Sequence, residues 1–244
     1  MQLSSNIHLK PLLFDIILVL LAAVAGSIDV ISYFQFHTFT ANMTGNTILL
    51  GLSIGEGKLA SSMHSMTALL AFIGGAFIGA AIVEKRDRGW SSNITRSIAV
   101  ESIIIAAFSA LSFYHAPSVS NFILYISIIL SAAAMGMQSA AIRHLKIPGV
   151  VTTFITGTVT SIAMSAVSGL RMGFKKHEKN NSKIPVAKNL EQRVTLQVII
   201  FFVYVLTAVF TGWIEYHGAT FLPVFPLVLI VGVLMIVMKF RKLY

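Results

Sequence analysis

Ala41-Asn42-Met43-Thr44-Gly45-Asn46-Thr47-Ile48-Leu49-Leu50-Gly51-Leu52-Ser53-Ile54-Gly55 is the stretch whose reading decides the fold, being apolar enough to enter a bilayer and too short to cross it. A hydrocarbon core of about 30 Å asks for roughly 20 apolar residues in a helix; this run supplies 15. A second doubtful stretch, 150–170, is long enough but full of Thr and Ser. Six other windows, 11–34, 62–83, 95–113, 120–142, 194–213 and 218–238, meet the length and charge requirements for spanning helices.

Positive charge decides between the topologies, because Lys and Arg near helix ends favour the cytoplasmic side. With eight crossings and the N-terminus inside, 12 basic residues fall inside and 6 outside; with seven, 7 fall inside and 11 outside. With six crossings, 17 fall inside and Lys58 alone outside. The expected architecture is therefore an all-α integral membrane protein with six transmembrane helices and both termini cytoplasmic. Segments 41–55 and 150–170 are then re-entrant half-helices that return to the side they came from.

Composition agrees. Of 244 residues, 56% are hydrophobic and 11% charged, against about 25% charged in soluble domains. That excludes an ordinary soluble enzyme, a disordered chain and, with no cysteine, a disulfide scaffold. The 18 Lys and Arg against 9 Asp and Glu lie in short gaps between apolar runs. They orient the chain in a membrane and predict no nucleic-acid partner. Nothing near the start looks like a cleavage site, so the first segment is expected to stay as a signal anchor.

The halves repeat each other. Ala22-Ala23-Val24-Ala25-Gly26 resembles Ala132-Ala133-Ala134-Met135-Gly136 at an offset of 110, and Thr40 to Thr47 matches Thr152 to Val159 at an offset of 112. Each half, 1–116 and 117–244, reads span, Thr-Gly segment, span, span. The first span runs outward and the fourth inward, so the expected arrangement is an inverted 3+3 repeat of the kind many transporters use.

These same strings carry a family likeness. Ala25-Gly26-Ser27-Ile28-Asp29 followed by Thr40-Ala41-Asn42-Met43-Thr44-Gly45-Asn46, with Gly136-Met137-Gln138-Ser139-Ala140-Ala141-Ile142-Arg143 and Thr152-Thr153-Phe154-Ile155-Thr156-Gly157-Thr158, resembles the YoaK family of bacterial multi-pass membrane proteins of unknown function. The likeness covers most of the chain; Ser139 stands where the family usually has Asn. It implies a bacterial inner-membrane protein and no particular substrate.

Non-helical backbone is tolerated at membrane depth only where protein buries it or where it lines a wet cavity. The two Thr-Gly segments are thus the candidate site, with Thr40 or Asn42 and Thr152 or Thr153 as helix N-caps. Their half-helix N-termini are expected to face one another near the centre and to favour a small anion or an acceptor-bearing neutral solute. The expected binding or pore-lining residues are Asp29, Asn42, Thr44, Gly45, Asn46, Gln138, Thr156, Gly157 and Thr158. Tight helix packing through small residues and hydroxyls explains the same composition without a solute. Asp29, an ionisable residue at membrane depth, is read as proton carrier, cation ligand or acceptor that orients Asn42 and Asn46, or else as a structural carboxylate capping the re-entrant N–H groups. Glu101 is the second coupling candidate, unless it reaches the cytoplasmic interface beside Arg96; Asp15 reads as structural.

Small-residue stripes at Ala71, Gly75 and Gly79 and at Ala132, Gly136 and Ala140 bring helices close, within the chain or in a homodimer. The basic stretch 171–193 reads as a cytoplasmic loop that touches lipid. The seven histidines form no metal-ligand pattern, so neither metal nor cofactor is expected, and no nucleophile elbow or phosphate loop suggests an enzyme. The leading expectation is a transporter or channel for a small polar solute or ion in the lipid bilayer; the rival is a membrane scaffold or regulator that transports nothing.

Overall fold

A computed structural model describes residues 2–84, 91–113, 121–145, 155–176, 184–218 and 222–241. Every regular element among them is helical: α1 (Gln2–Phe36), α2 (Met43–Gly55), α3 (Leu59–Val83), α4 (Ser92–Ser112), α5 (Asn121–His144), α6 (Ile155–Lys176), α7 (Ile184–Tyr216) and α8 (Val224–Arg241). Long runs of Leu, Ile, Val and Ala leave the backbone no solvent partner in lipid, and a helix satisfies every interior N–H and C=O within itself.

Five helices are long and apolar enough to cross: Leu12–Phe36, Leu59–Val83, Ser92–Ser112, Asn121–His144 and Val194–Tyr216. The sixth expected span, 218–238, becomes α8, whose 18 residues rise about 27 Å. That falls a little short of the roughly 30 Å core, so α8 is an apolar helix shorter than the five above. The 13 residues of α2 rise about 20 Å and cannot cross.

The second doubtful stretch differs from expectation. α6 continues to Lys176 and α7 already begins at Ile184, so most of the expected loop 171–193 is helical. Leu170-Arg171-Met172 and Val186-Ala187-Lys188-Asn189-Leu190 hold good helix formers, and their charges prolong each helix beyond its apolar part.

The helices α1, α4, α5 and α8 supply the core through Ile17, Leu21, Ile28, Ile98, Phe108, Ile128, Met135, Ile230 and Val233. In α1 67% of the spanning window is buried, against 22% in α3 and α7, so α1 is central and those two form the flanks. α1 packs on α7 and α8, α5 packs on α3 and α4, α4 meets α8, α2 lies along α3, and α6 along α7. The two Thr-Gly helices thus ride on different helices, α2 on α3 and α6 on α7, each along the span that follows it.

The small-residue stripes close the α3–α5 seam within the chain. A Cβ on Gly75 would collide with the Ala133 backbone, one on Gly136 with the Phe72 carbonyl, and one on Gly79 would lie 2.8 Å from the Met137 Cα. The α1–α7 seam uses Gly26 in the same way, since a Cβ there would lie 2.8 Å from the Tyr204 carbonyl oxygen.

Candidate functional site

The chain turns back at the end of α1. His37 takes a left-handed conformation (φ 53°) and its N–H bonds the Tyr33 carbonyl at 2.9 Å, which ends the helix as a C-terminal cap does. The next five residues run beside the last two turns of α1 toward the bundle interior. Ser32 and Thr40 share a hydroxyl hydrogen bond at 3.1 Å, and Thr38 meets Ser65 of α3 at 3.4 Å. α2 then starts at the level of Asp29, seven residues and about 10 Å inside the end of α1.

Asp29 organises this reversal. It is buried, and its Oδ1 accepts from the backbone N–H groups of Thr40 at 2.8 Å, Ala41 at 2.6 Å and Asn42 at 3.3 Å. Its Oδ2 accepts from the Tyr204 hydroxyl of α7 at 2.8 Å. Three converging N–H groups form an anion nest, and the Asp29 carboxylate fills it. The positive end of α2 thus already has its counter-charge within the chain.

Two asparagines complete the entry to α2. Asn42 is the N-cap, its Oδ1 accepting from Gly45 N–H at 3.2 Å. Asn46 is buried and grips the Phe39 backbone at both polar atoms, Oδ1 accepting from its N–H at 2.9 Å and Nδ2 donating to its carbonyl. Gly45 is required by space: a Cβ there would lie 2.7 Å from the Phe39 ring, which stacks on Tyr33 at 4.9 Å between centroids. At the other end of α2, Ser62 donates to Ser53 at 3.1 Å and ties it to α3.

Thr44 is exposed and, with Ala41 and Met43, lines a cavity of about 940 Å³. Its walls are the later half of α3, from Phe72 to Val83, and the end of α5, with Ser139, Ala140, Arg143 and His144; Glu84 stands at the rim. From Phe72 to Glu84 is twelve residues, about 18 Å of helix, so the cavity runs from mid-bundle to one end. No hydrogen bond among the described residues takes up the N–H groups of Met43 and Thr44, the first turn of α2. The arrangement is an apolar groove, open along its side where Ile73 and Phe77 are exposed, with donors at its inner end and the charged groups of Arg143 and Glu84 beside His144 at its mouth.

The second copy is built differently where it is described. Thr156 is exposed, Gly157 half-buried and Thr158 buried on α6. Gln197 of α7 donates to Ser161 at 3.0 Å, tying α6 to its neighbour. The expected caps Thr152 and Thr153 lie outside the described residues. Gln138 is buried and its Nε2 donates to the Leu21 carbonyl at 3.1 Å, joining α5 to α1 rather than lining the cavity. Glu101 does not reach the interface beside Arg96: it is fully buried mid-way along α4, while Arg96 donates to Asn93 at 3.4 Å.

Asp29, Asn42, Gly45 and Asn46 thus form one hydrogen-bonded unit, Thr44 joins a cavity, and the α6 residues lie elsewhere. Sequence reasoning missed Tyr204, Phe39 and the cavity wall on α3. The available signal for Tyr204 was a hydroxyl at the centre of the apolar run Phe201-Phe202-Val203-Tyr204-Val205, since a buried phenol needs a partner.

A family described as a protein of unknown function (DUF1275) matches residues 17–238. The chain belongs to that family. Within the DUF1275 family it is 37% identical over 222 residues to the UPF0700 transmembrane protein YoaK of Bacillus subtilis (strain 168), covering 90% of this chain and 92% of that one. The match runs through both Thr-Gly segments, and the relative's name agrees with a membrane protein of several apolar helices. No solved structure matches the chain.

Proposed function

We propose that this member of the DUF1275 family is a bacterial inner-membrane transporter for a small polar solute or ion, with both termini cytoplasmic and two inverted halves, 1–116 and 117–244. The cavity carries the reading. It ends at mid-bundle on the N–H groups of Met43 and Thr44 and opens beside Arg143, His144 and Glu84, an arrangement that suits a solute bearing hydrogen-bond acceptors. Counting Lys and Arg puts that mouth on the cytoplasmic side.

The packing pattern supports the inverted halves. Exchanging α1 with α5, α2 with α6, α3 with α7 and α4 with α8 maps the α1–α7 contact onto α5–α3, α1–α8 onto α5–α4 and α2–α3 onto α6–α7. The matching glycines, Gly26 and Gly136, each press on a carbonyl of the partner helix, Tyr204 and Phe72. In an alternating-access cycle of two such halves, a mouth beside Arg143 and His144 assigns this conformation as the one open to the cytoplasm.

The scaffold reading draws on one observation, that Asp29, Asn42 and Asn46 spend their polar atoms on backbone. Cysteine chemistry separates the two, because the chain contains no native Cys. Thr44→Cys, single in the chain, is expected to react with a membrane-impermeant thiol reagent added from the cytoplasmic side only. A Thr44→Cys that reacts only with lipid-soluble reagents rejects a water-filled path. Flux of candidate acceptor-bearing solutes into proteoliposomes, blocked by the same modification, then establishes transport.

A further inference from the structure

Glu101 stands apart from the unit just described. It is 0% exposed, and neither carboxyl oxygen has a hydrogen-bond partner among the described residues. It lies nine residues from the start of α4 and eleven from its end, about 14 and 16 Å, so it sits at the middle of a spanning helix. α4 is enclosed by α5 and α8, with a smaller contact to α3. One turn before Glu101, on the same face, the Ser97 hydroxyl is also fully buried and unpartnered.

The titratable groups on the surrounding helices are His64 on α3, Tyr125, Arg143 and His144 on α5, and Lys239 and Arg241 on α8. No ion pair among the described residues joins one of them to Glu101; the pair present is Lys58 with Glu56. A carboxylate with neither counter-charge nor hydrogen bond is far costlier to bury than the protonated acid. A metal cation would need an oxygen cage, and the described residues contain no cluster of three or more His, Asp or Glu. The Asp29 carboxylate is also buried but has four donors on its two oxygens.

From this contrast we infer that Glu101 is a proton-binding site at the centre of the membrane, loaded and unloaded through the Ser97 turn toward the start of α4. Loading forms an O–H bond at one carboxylate oxygen with a proton from hydronium and leaves water; unloading returns that proton to water. The site deepens the transport reading by naming the driving ion, and its use in coupling rests on that reading.

Infrared spectroscopy of the full chain in lipid tests it without a solute. The carbonyl stretch of a protonated carboxylic acid is expected in the wild type, moved by 13C-glutamate labelling but not by 13C-aspartate labelling, and lost in Glu101→Gln. On transfer to D2O this band is expected to shift while the amide protons of α4 remain protected. Absence of the band, its assignment to aspartate, or a band that waits for the α4 amides to exchange overturns the proton site. The labelling arm keeps the test decisive if Glu101→Gln fails to fold. A silent infrared result leaves Thr44→Cys accessibility intact, and an inaccessible Thr44→Cys leaves the infrared band intact, so the two failures are distinguishable.

Discussion

Replacing Asp29 by Ala is expected to do more damage than any other single change in the first Thr-Gly segment. The carboxylate satisfies the N–H groups of Thr40, Ala41 and Asn42 and the hydroxyl of Tyr204, three of the four within 2.8 Å. Leaving a buried donor without its acceptor costs about 1–3 kcal/mol, and more when the lost acceptor is charged. Part of that is recovered as the segment relaxes, so a total of about 4 kcal/mol is expected. For a chain of this size it corresponds to a fall in Tm of roughly 8–16 °C. Asp29→Asn keeps one carbonyl oxygen for the backbone donors and turns its amide toward the Tyr204 oxygen, so about 1–2 kcal/mol is expected. Tyr204→Phe removes a single bond and should cost a similar amount. The assay is thermal unfolding of purified protein in detergent, with hydrogen exchange at residues 40–42 as local readout. If the carboxylate holds the reversal, Asp29→Ala exposes those three amides to exchange, and adding Tyr204→Phe to it costs almost nothing further. Asp29→Ala melting within about 1 °C of wild type, with the amides still protected, refutes the reasoning.

Other variants test the remaining contacts. Gly136→Ala and Gly75→Ala force a methyl into opposing backbone across the α3–α5 seam and should each cost about 2–3 kcal/mol, read as Tm, whereas Gly74→Ala, with nothing within 4 Å, should be neutral. Asn46→Ala strips two bonds from the Phe39 backbone and is expected to cost about 2–4 kcal/mol. Asn42→Ala removes one exposed cap bond and should cost about 1 kcal/mol in the same melting assay. Equal losses for the two asparagines would contradict the assignment of Asn46 as the anchor.

The spans were legible because the bilayer is a simple solvent: roughly 20 apolar residues suffice whatever they pack against. The reversal before α2 was legible for the same reason, since 41–55 is too short to cross and Asn42 has the chemistry of a cap. The helical ends of 171–193 were lost because positive charge reads as loop to a hydropathy window, although Lys and Arg are good helix formers in water. The cap formed by Asp29 was among the roles its sequence offered, but nothing there set it apart from Glu101. Asp29 and Glu101 look alike in sequence, each a lone acid inside an apolar run.

What separates those acids is tertiary. Asp29 is tied to a tyrosine 175 residues away and to a loop 11 to 13 residues on, while neither Glu101 oxygen has a hydrogen-bond partner among the described residues. Sequence alone determined that the chain enters the membrane as helices and that 41–55 stops short, because both depend on local length and polarity. Which helices touch, which donors meet which oxygens and where a cavity remains depend on contacts between distant residues. Only the packed bundle decides them, since a hydrogen bond in low dielectric is set by the position of the partner atom rather than by the residue type.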